Sequence, residues 1–174
     1  MNATDTPRLI VPAIGAACAG GFCLGHVFVD ALPYAIIVAP KAEGRQDVIA
    51  WNKSLKRVDG ALSYFDGLAN TRAMAAAGSE LAKWAQGLRL GGFNDWHIPS
   101  RQDLLVVRGN VAAAGPLFGD NGAEAFESKW YWSSTQNEFN DDYAWIQLFG
   151  YGDQDSLRKS TEYRAFVVRR EPIR

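Results

Sequence analysis

The hydrophobic period of this chain changes twice, and that order restricts its architecture more than any other feature. Two β-rich runs, residues 25–30 and 34–39, flank Ala31-Leu32-Pro33 and read as a hairpin, the second run being apolar enough for a buried strand. Pro40 and Gly44 then break the pattern. Over residues 66–90 the period is helical, with Leu81, Trp84, Ala85 and Leu88 on one face. Gly78-Ser79 divides this stretch into two helices, Ser79 capping the second, and Gly91-Gly92 ends it. Ser100 with Asp103 three residues on marks the start of a further short helix that stops near Gly109. From Trp130 the pattern is extended again: strands over 130–135, 143–149 and 163–169, a turn at 150–153 and a short strand at 156–158. Two strands, two or three helices and a run of antiparallel strands make an α+β chain with segregated elements, not a doubly wound sheet.

The 174 residues, 48% hydrophobic and 21% charged, suit one globular domain, with or without an attachment arm. A chain of this size buries roughly 70% of its unfolded surface and needs neither metal nor disulfide to fold. Eighteen basic against nineteen acidic residues leave a charge of −1, which gives no footprint for nucleic acid or an anionic membrane. No stretch approaches the ~20 apolar residues of a membrane span, so membrane insertion is not expected. Cys18 and Cys23 are the two cysteines; a local bridge and a reduced pair both remain open. Aromatic residues at 12% together with 17 glycines fit a loop-rich fold or a sugar-facing surface better than a plain helical bundle, against the plainer reading that the rings fill the core.

Residues 1–19 read as an apolar arm. Arg8 followed by an apolar run to Ala16-Ala17-Cys18 loosely imitates a lipoprotein signal, but Asp5 sits in the would-be basic region, Pro12 interrupts the run and Gly15 replaces the aliphatic residue before the cleavage position. The expectation is an arm that docks the domain on a larger particle or packs as a first strand, followed by a domain over 20–174.

The tract from Leu90 to Leu104, which contains Gly91-Gly92-Phe93-Asn94-Asp95-Trp96-His97-Ile98-Pro99-Ser100-Arg101, resembles the signature GG-aromatic-x-D-W-x-L-P-[ST]-R-x-E-L of the Lcl C-terminal domain family, named from a Legionella collagen-like adhesin. Other tracts match in order: Gly20-Gly21 with Val27-Phe28-Val29 and Ala39-Pro40; Asp66-Gly67-Leu68-Ala69-Asn70-Thr71; and Tyr131-Trp132-Ser133-Ser134-Thr135 with Ala144-Trp145 and Val167-Val168-Arg169-Arg170. Ile98 stands for the common Leu and Asp103 for the common Glu, and no collagen-like stalk is present. The resemblance implies a C-type-lectin-like fold, shared with formylglycine-generating enzymes and phage receptor-binding proteins, and found in bacterial surface and phage proteins. It fixes a scaffold, not a role.

Period two along residues 143–149 places Ala144, Ile146 and Leu148 on one face, read as core, and Tyr143, Trp145, Gln147 and Phe149 on the other. The second face mixes rings with an amide, as a sugar-binding surface does, since rings stack on C–H faces and amides read hydroxyls. The alternative is a sheet covered on both sides, with Trp145 and Phe149 in the core. Asn137, Glu138, Asn140, Asp141 and Asp142 precede this strand, and Tyr151, Asp153, Gln154 and Asp155 follow it. The ligand-binding candidates are Asn137, Asn140, Asp141, Asp142, Tyr143, Trp145, Gln147, Tyr151, Asp153 and Asp155. The carboxylates offer oxygen ligands for calcium, but without an EF-hand-like spacing no cofactor is expected.

Catalysis finds little support. His26 and His97 are isolated, Ser133 and Ser134 have no recognisable His-Asp partners, and no phosphate loop or dinucleotide fingerprint is present. The related formylglycine-generating enzymes use two cysteines in the C-terminal part of the domain, and this chain has none after Cys23. The expectation is a non-enzymatic, phage or prophage tail-associated protein that binds a host-surface glycan or protein receptor. It would meet other virion proteins through the arm, with homo-oligomerisation open; a phage protein leaves its host by lysis and needs no signal. A structural virion component and a secreted or lipid-anchored adhesin at the cell surface are the alternatives.

Overall fold

The computed structural model describes residues 9–174; Asp5 and Arg8, on which the export reading turns, lie outside the described residues. It is a mixed α+β fold with four α-helices and two sheets. The first sheet joins β1 (Ala17–Cys18), β2 (Gly21–Val29), β3 (Leu32–Val38) and β9 (Val168–Pro172), all antiparallel. The expected hairpin is β2–β3, whose two-residue turn holds Asp30 and Ala31 at φ 50° and 64°, the left-handed geometry that matches strand twist. Arm and domain are continuous at β1, where Ala17 pairs with Phe22.

The second sheet runs β4 (Arg45–Ala50), β8 (Glu162–Phe166), β5 (Trp130–Gln136), β6 (Tyr143–Leu148), β7 (Gln154–Arg158). Two findings depart from the sequence reading. A single strand over 163–169 is in fact two, β8 and β9, which belong to different sheets. Side-chain alternation runs unbroken through Val167, with Ala165 and Val167 in one core and Phe166 and Val168 in the other, so periodicity does not register the change of sheet. The C-terminal strands are also not all antiparallel: β5 and β8 run parallel, bridged through Tyr131 and Arg164.

Pro40 and Gly44 bound the break after β3. One helical turn, α1 (Lys41–Gly44), leads directly into β4, whose polar sequence carries no strand alternation. The remaining helices fall where the capping residues put them. Asp66 accepts from the Ala69 amide to start α2 (Gly67–Ala76), and Ser79 from the Ala82 amide to start α3 (Glu80–Gly87). Ser100 and Asp103 form a complete capping box for α4 (Arg101–Asn110).

Two cores result. One, between the sheets and α2–α3, is built on Trp51, Trp96 and Trp132, all essentially inaccessible. The other lies under α4, where Leu104 and Val107 cover the rings of Phe118, Tyr131, Phe149 and Phe166. Each fully buried side chain of this size contributes roughly 1.5–3 kcal/mol of transfer free energy. The motif glycines have a packing reason: Gly91 sits at φ 59°, and a Cβ there would run into the Gly20 backbone. The motif's Asp95 is held by Arg169, through Nε to Oδ1 at 2.7 Å and Nη2 to Oδ2 at 3.1 Å, while Arg169 stacks on Phe93.

Candidate functional site

The site begins with a buried polar hub. Asn70 on α2 accepts from the Ser63 amide and donates to the Ser63 carbonyl; Thr135 on β5 also donates to that carbonyl, at 2.8 Å, and accepts from the Arg101 amide at 3.1 Å. These bonds fix the loop before α2 against the start of α4, and the Tyr64 carbonyl accepts from the Gln102 amide. Because Asn70 and Thr135 are fully buried, the loop position is set from inside.

On this base stands a compact aromatic–polar cluster. The Arg101 guanidinium carbon lies 3.5 Å from the Trp145 ring centre and 4.8 Å from that of Tyr64. Its Nε donates to Gln154 Oε1 at 2.7 Å, and Gln154 Nε2 returns a bond to the Arg101 carbonyl at 3.1 Å. Glu138 closes the other side, accepting from the Tyr64 hydroxyl at 2.6 Å and from Trp145 Nε1 at 3.3 Å. Burial opposes the Glu138 charge, but those donors outweigh it and hold its carboxyl below the usual range. Burial and the bond to Glu138 push the Tyr64 phenol up, so it stays a donor. Phe65 and Phe139, 61% and 90% exposed, immediately follow Tyr64 and Glu138 in sequence. Asn137 presents Phe139: its Oδ1 accepts from the amides of Phe139 and Asn140, and its Nδ2 donates to Ser156.

The structure sorts the sequence candidates. Asn137 and Trp145 belong to the cluster, and Tyr143 follows on the same face of β6. Asn140 is exposed on the adjoining loop, where its Oδ1 accepts from the Asp142 amide. Asp141 and Asp142 are taken up by Arg57 at 3.0 Å and Arg158 at 3.7 Å. Gln147 is entirely buried and donates to the Leu148 and Asp153 carbonyls, so it offers nothing to an outside ligand. Tyr151 and Asp153 lie in the β6–β7 turn, a six-residue strand away from the 137–142 loop and so roughly 17–20 Å distant. Asp155 pairs with Ile146 and faces away from Trp145. The expected face therefore divides: Tyr143 and Trp145 are half-exposed, whereas Gln147 and Phe149 are covered.

Four members of the cluster were not among the candidates: Tyr64, Arg101, Glu138 and Gln154. Arg101 stood in the signature tract but read only as the first helical residue. Glu138 and Gln154 were noted merely as flanking loop residues. Tyr64 carries no local signal, since the hub brings it to β6.

Chemically, the cluster offers ring faces, an amide, a carboxylate and a guanidinium that forms no ion pair among the described residues. Ser133 and Ser134 are buried and donate to the Trp145 and Pro99 carbonyls. His97 is buried, its Nδ1 against the Asp95 carbonyl, and burial lowers its basicity. Cys18 and Cys23 are free thiols, both pushed up by burial. Among the described residues no group of three His, Cys, Asp or Glu is placed to hold a metal ion.

The profile of the Lcl C-terminal domain matches residues 43–169, and the chain belongs to that family. Membership makes this an adhesin-like, surface-binding protein and points to an extracellular or surface location. No curated protein matches the chain. Among the described residues no helix is long and apolar enough to cross a membrane.

Proposed function

We propose that the protein is a non-enzymatic, C-type-lectin-like receptor-binding module of a phage or prophage tail, and that it recognises a host-surface glycan through the Tyr64–Arg101–Trp145–Glu138 cluster. The observation that carries this reading is the stacked Arg101–Trp145 pair locked by Gln154. A ring face and fixed donors and acceptors, held before the ligand arrives, suit the C–H faces and hydroxyls of a sugar. Tyr143, Asn137 and Asn140 extend the contact surface. The lectin-like assignment draws support from the family and from β9 closing the N-terminal hairpin.

A second reading, a structural virion part that binds only protein, is favoured by one observation: Leu9, Ile10 and Val11 of the arm are 54%, 80% and 53% exposed. Labelled protein applied to intact cells and to a glycan array separates the two. Saturable binding lost on Arg101→Ala supports recognition; absence of binding, with assembly blocked by deletion of residues 1–19, supports the structural role.

A further inference from the structure

We propose that Lys159 and Gln136 join in an internal isopeptide bond, closing the segment between the end of β5 and the β7–β8 turn into a covalent ring. Lys159 is completely buried, an unusual place for a lysine, with Nζ 2.6 Å from Gln136 Oε1, 3.0 Å from the Lys56 carbonyl and 4.9 Å from the Trp51 ring centre. Gln136 is equally buried. Its carbonyl oxygen also accepts from the Val58 amide at 2.8 Å, which polarises the carbonyl and places a donor where an oxyanion would develop. Its Nε2 is buried without a partner, so nothing holds the amide nitrogen in place as it leaves.

The amine attacks Gln136 Cδ. A bond forms between Nζ and Cδ, the bond between Cδ and Nε2 breaks, and a proton lost by Nζ departs on Nε2 as ammonia. No oxidant, metal or second substrate enters. Burial lowers the lysine to about 8, which supplies neutral nucleophile, against Asp141 and Asp142, whose charges favour the ammonium; Arg57 acts in the same sense as burial. The ring so closed contains residues 137–158, hence Asn137, Glu138, Tyr143, Trp145 and Gln154. The cross-link would fix the spacing of Glu138, Trp145 and Gln154 within one closed ring, with Tyr64 and Arg101 outside it.

The test is the intact mass of the full chain, held for days at a pH above about 8, followed by tryptic mapping. The expected result is a mass one ammonia below that of the sequence, a branched peptide joining Gln136 to Lys159, no cleavage after Lys159, and full mass for Lys159→Arg. Full mass in the unmodified chain, with linear peptides containing Gln136 and ending at Lys159, overturns the proposal. So does an ammonia loss that maps elsewhere, such as to Asn121-Gly122.

Discussion

Arg101, the first residue of α4, lies 3.5 Å above the ring of Trp145 on β6, one of several contacts that join the motif helix to the C-terminal sheet. The two residues are far apart in sequence and come from elements of different period. Their pairing turns an ordinary helix start into part of a surface.

Replacing Arg101 by Ala removes the stacked cation and the bond to Gln154 while leaving the Arg101 backbone amide on Thr135. An exposed cation–π contact is worth about 0.5–1 kcal/mol, so the melting temperature should fall by only a few degrees. Binding to cells should drop by roughly tenfold or more, as for loss of a central anchor. Titration of labelled protein alongside a thermal melt measures both.

Gln147→Met should do the reverse. The amide is buried and serves two carbonyls, so stability should fall by about 1 kcal/mol, read from the denaturation midpoint, while ligand affinity stays unchanged.

Asp103 both caps α4 and pairs with Arg170 at 3.0 Å, and Arg170 also donates to the Phe65 carbonyl. Asp103→Ala leaves a mostly buried guanidinium without its counter-charge and should cost about 3 kcal/mol in chemical denaturation. The loop bearing Tyr64 and Phe65 should loosen, visible as faster amide exchange there.

His97 gives a pH dependence of defined sign. Burial lowers its folded value below the usual 6.5, so below that pH the unfolded chain binds a proton that the native chain refuses. Stability from this residue is therefore full above about pH 6.5 and falls as the pH drops toward the folded value. The slope of denaturation free energy against pH should be shallower in that window for His97→Gln than for the parent chain.

Much of the fold was legible because its signals are local. Ser79, Ser100 and Asp103 mark helix starts through bonds within three residues, and the β2–β3 hairpin shows in its own alternation. What escaped was non-local. β4 is an edge strand with a polar sequence, stabilised by pairing to β8 more than a hundred residues later. The passage from β8 to β9 changes partners without changing period. In the candidate site, Trp145 and Asn137 were visible from strand and turn chemistry. Gln147 was misplaced because the amide is spent on backbone carbonyls inside a sheet covered on both faces. Tyr64 is brought beside Trp145 by Asn70, Thr135 and the Ser63 backbone and held there by Glu138 and Arg101, a path that no spacing rule contains.

The most direct test of recognition through the Arg101–Trp145 cluster is binding of the purified, labelled chain to intact bacterial cells and a glycan array, with calcium and with chelator. The account predicts saturable binding that survives the chelator, is lost in Arg101→Ala and weakened in Tyr143→Ala, and persists in Gln147→Met. Absence of binding across a broad panel, or binding that Arg101→Ala leaves intact, would contradict it.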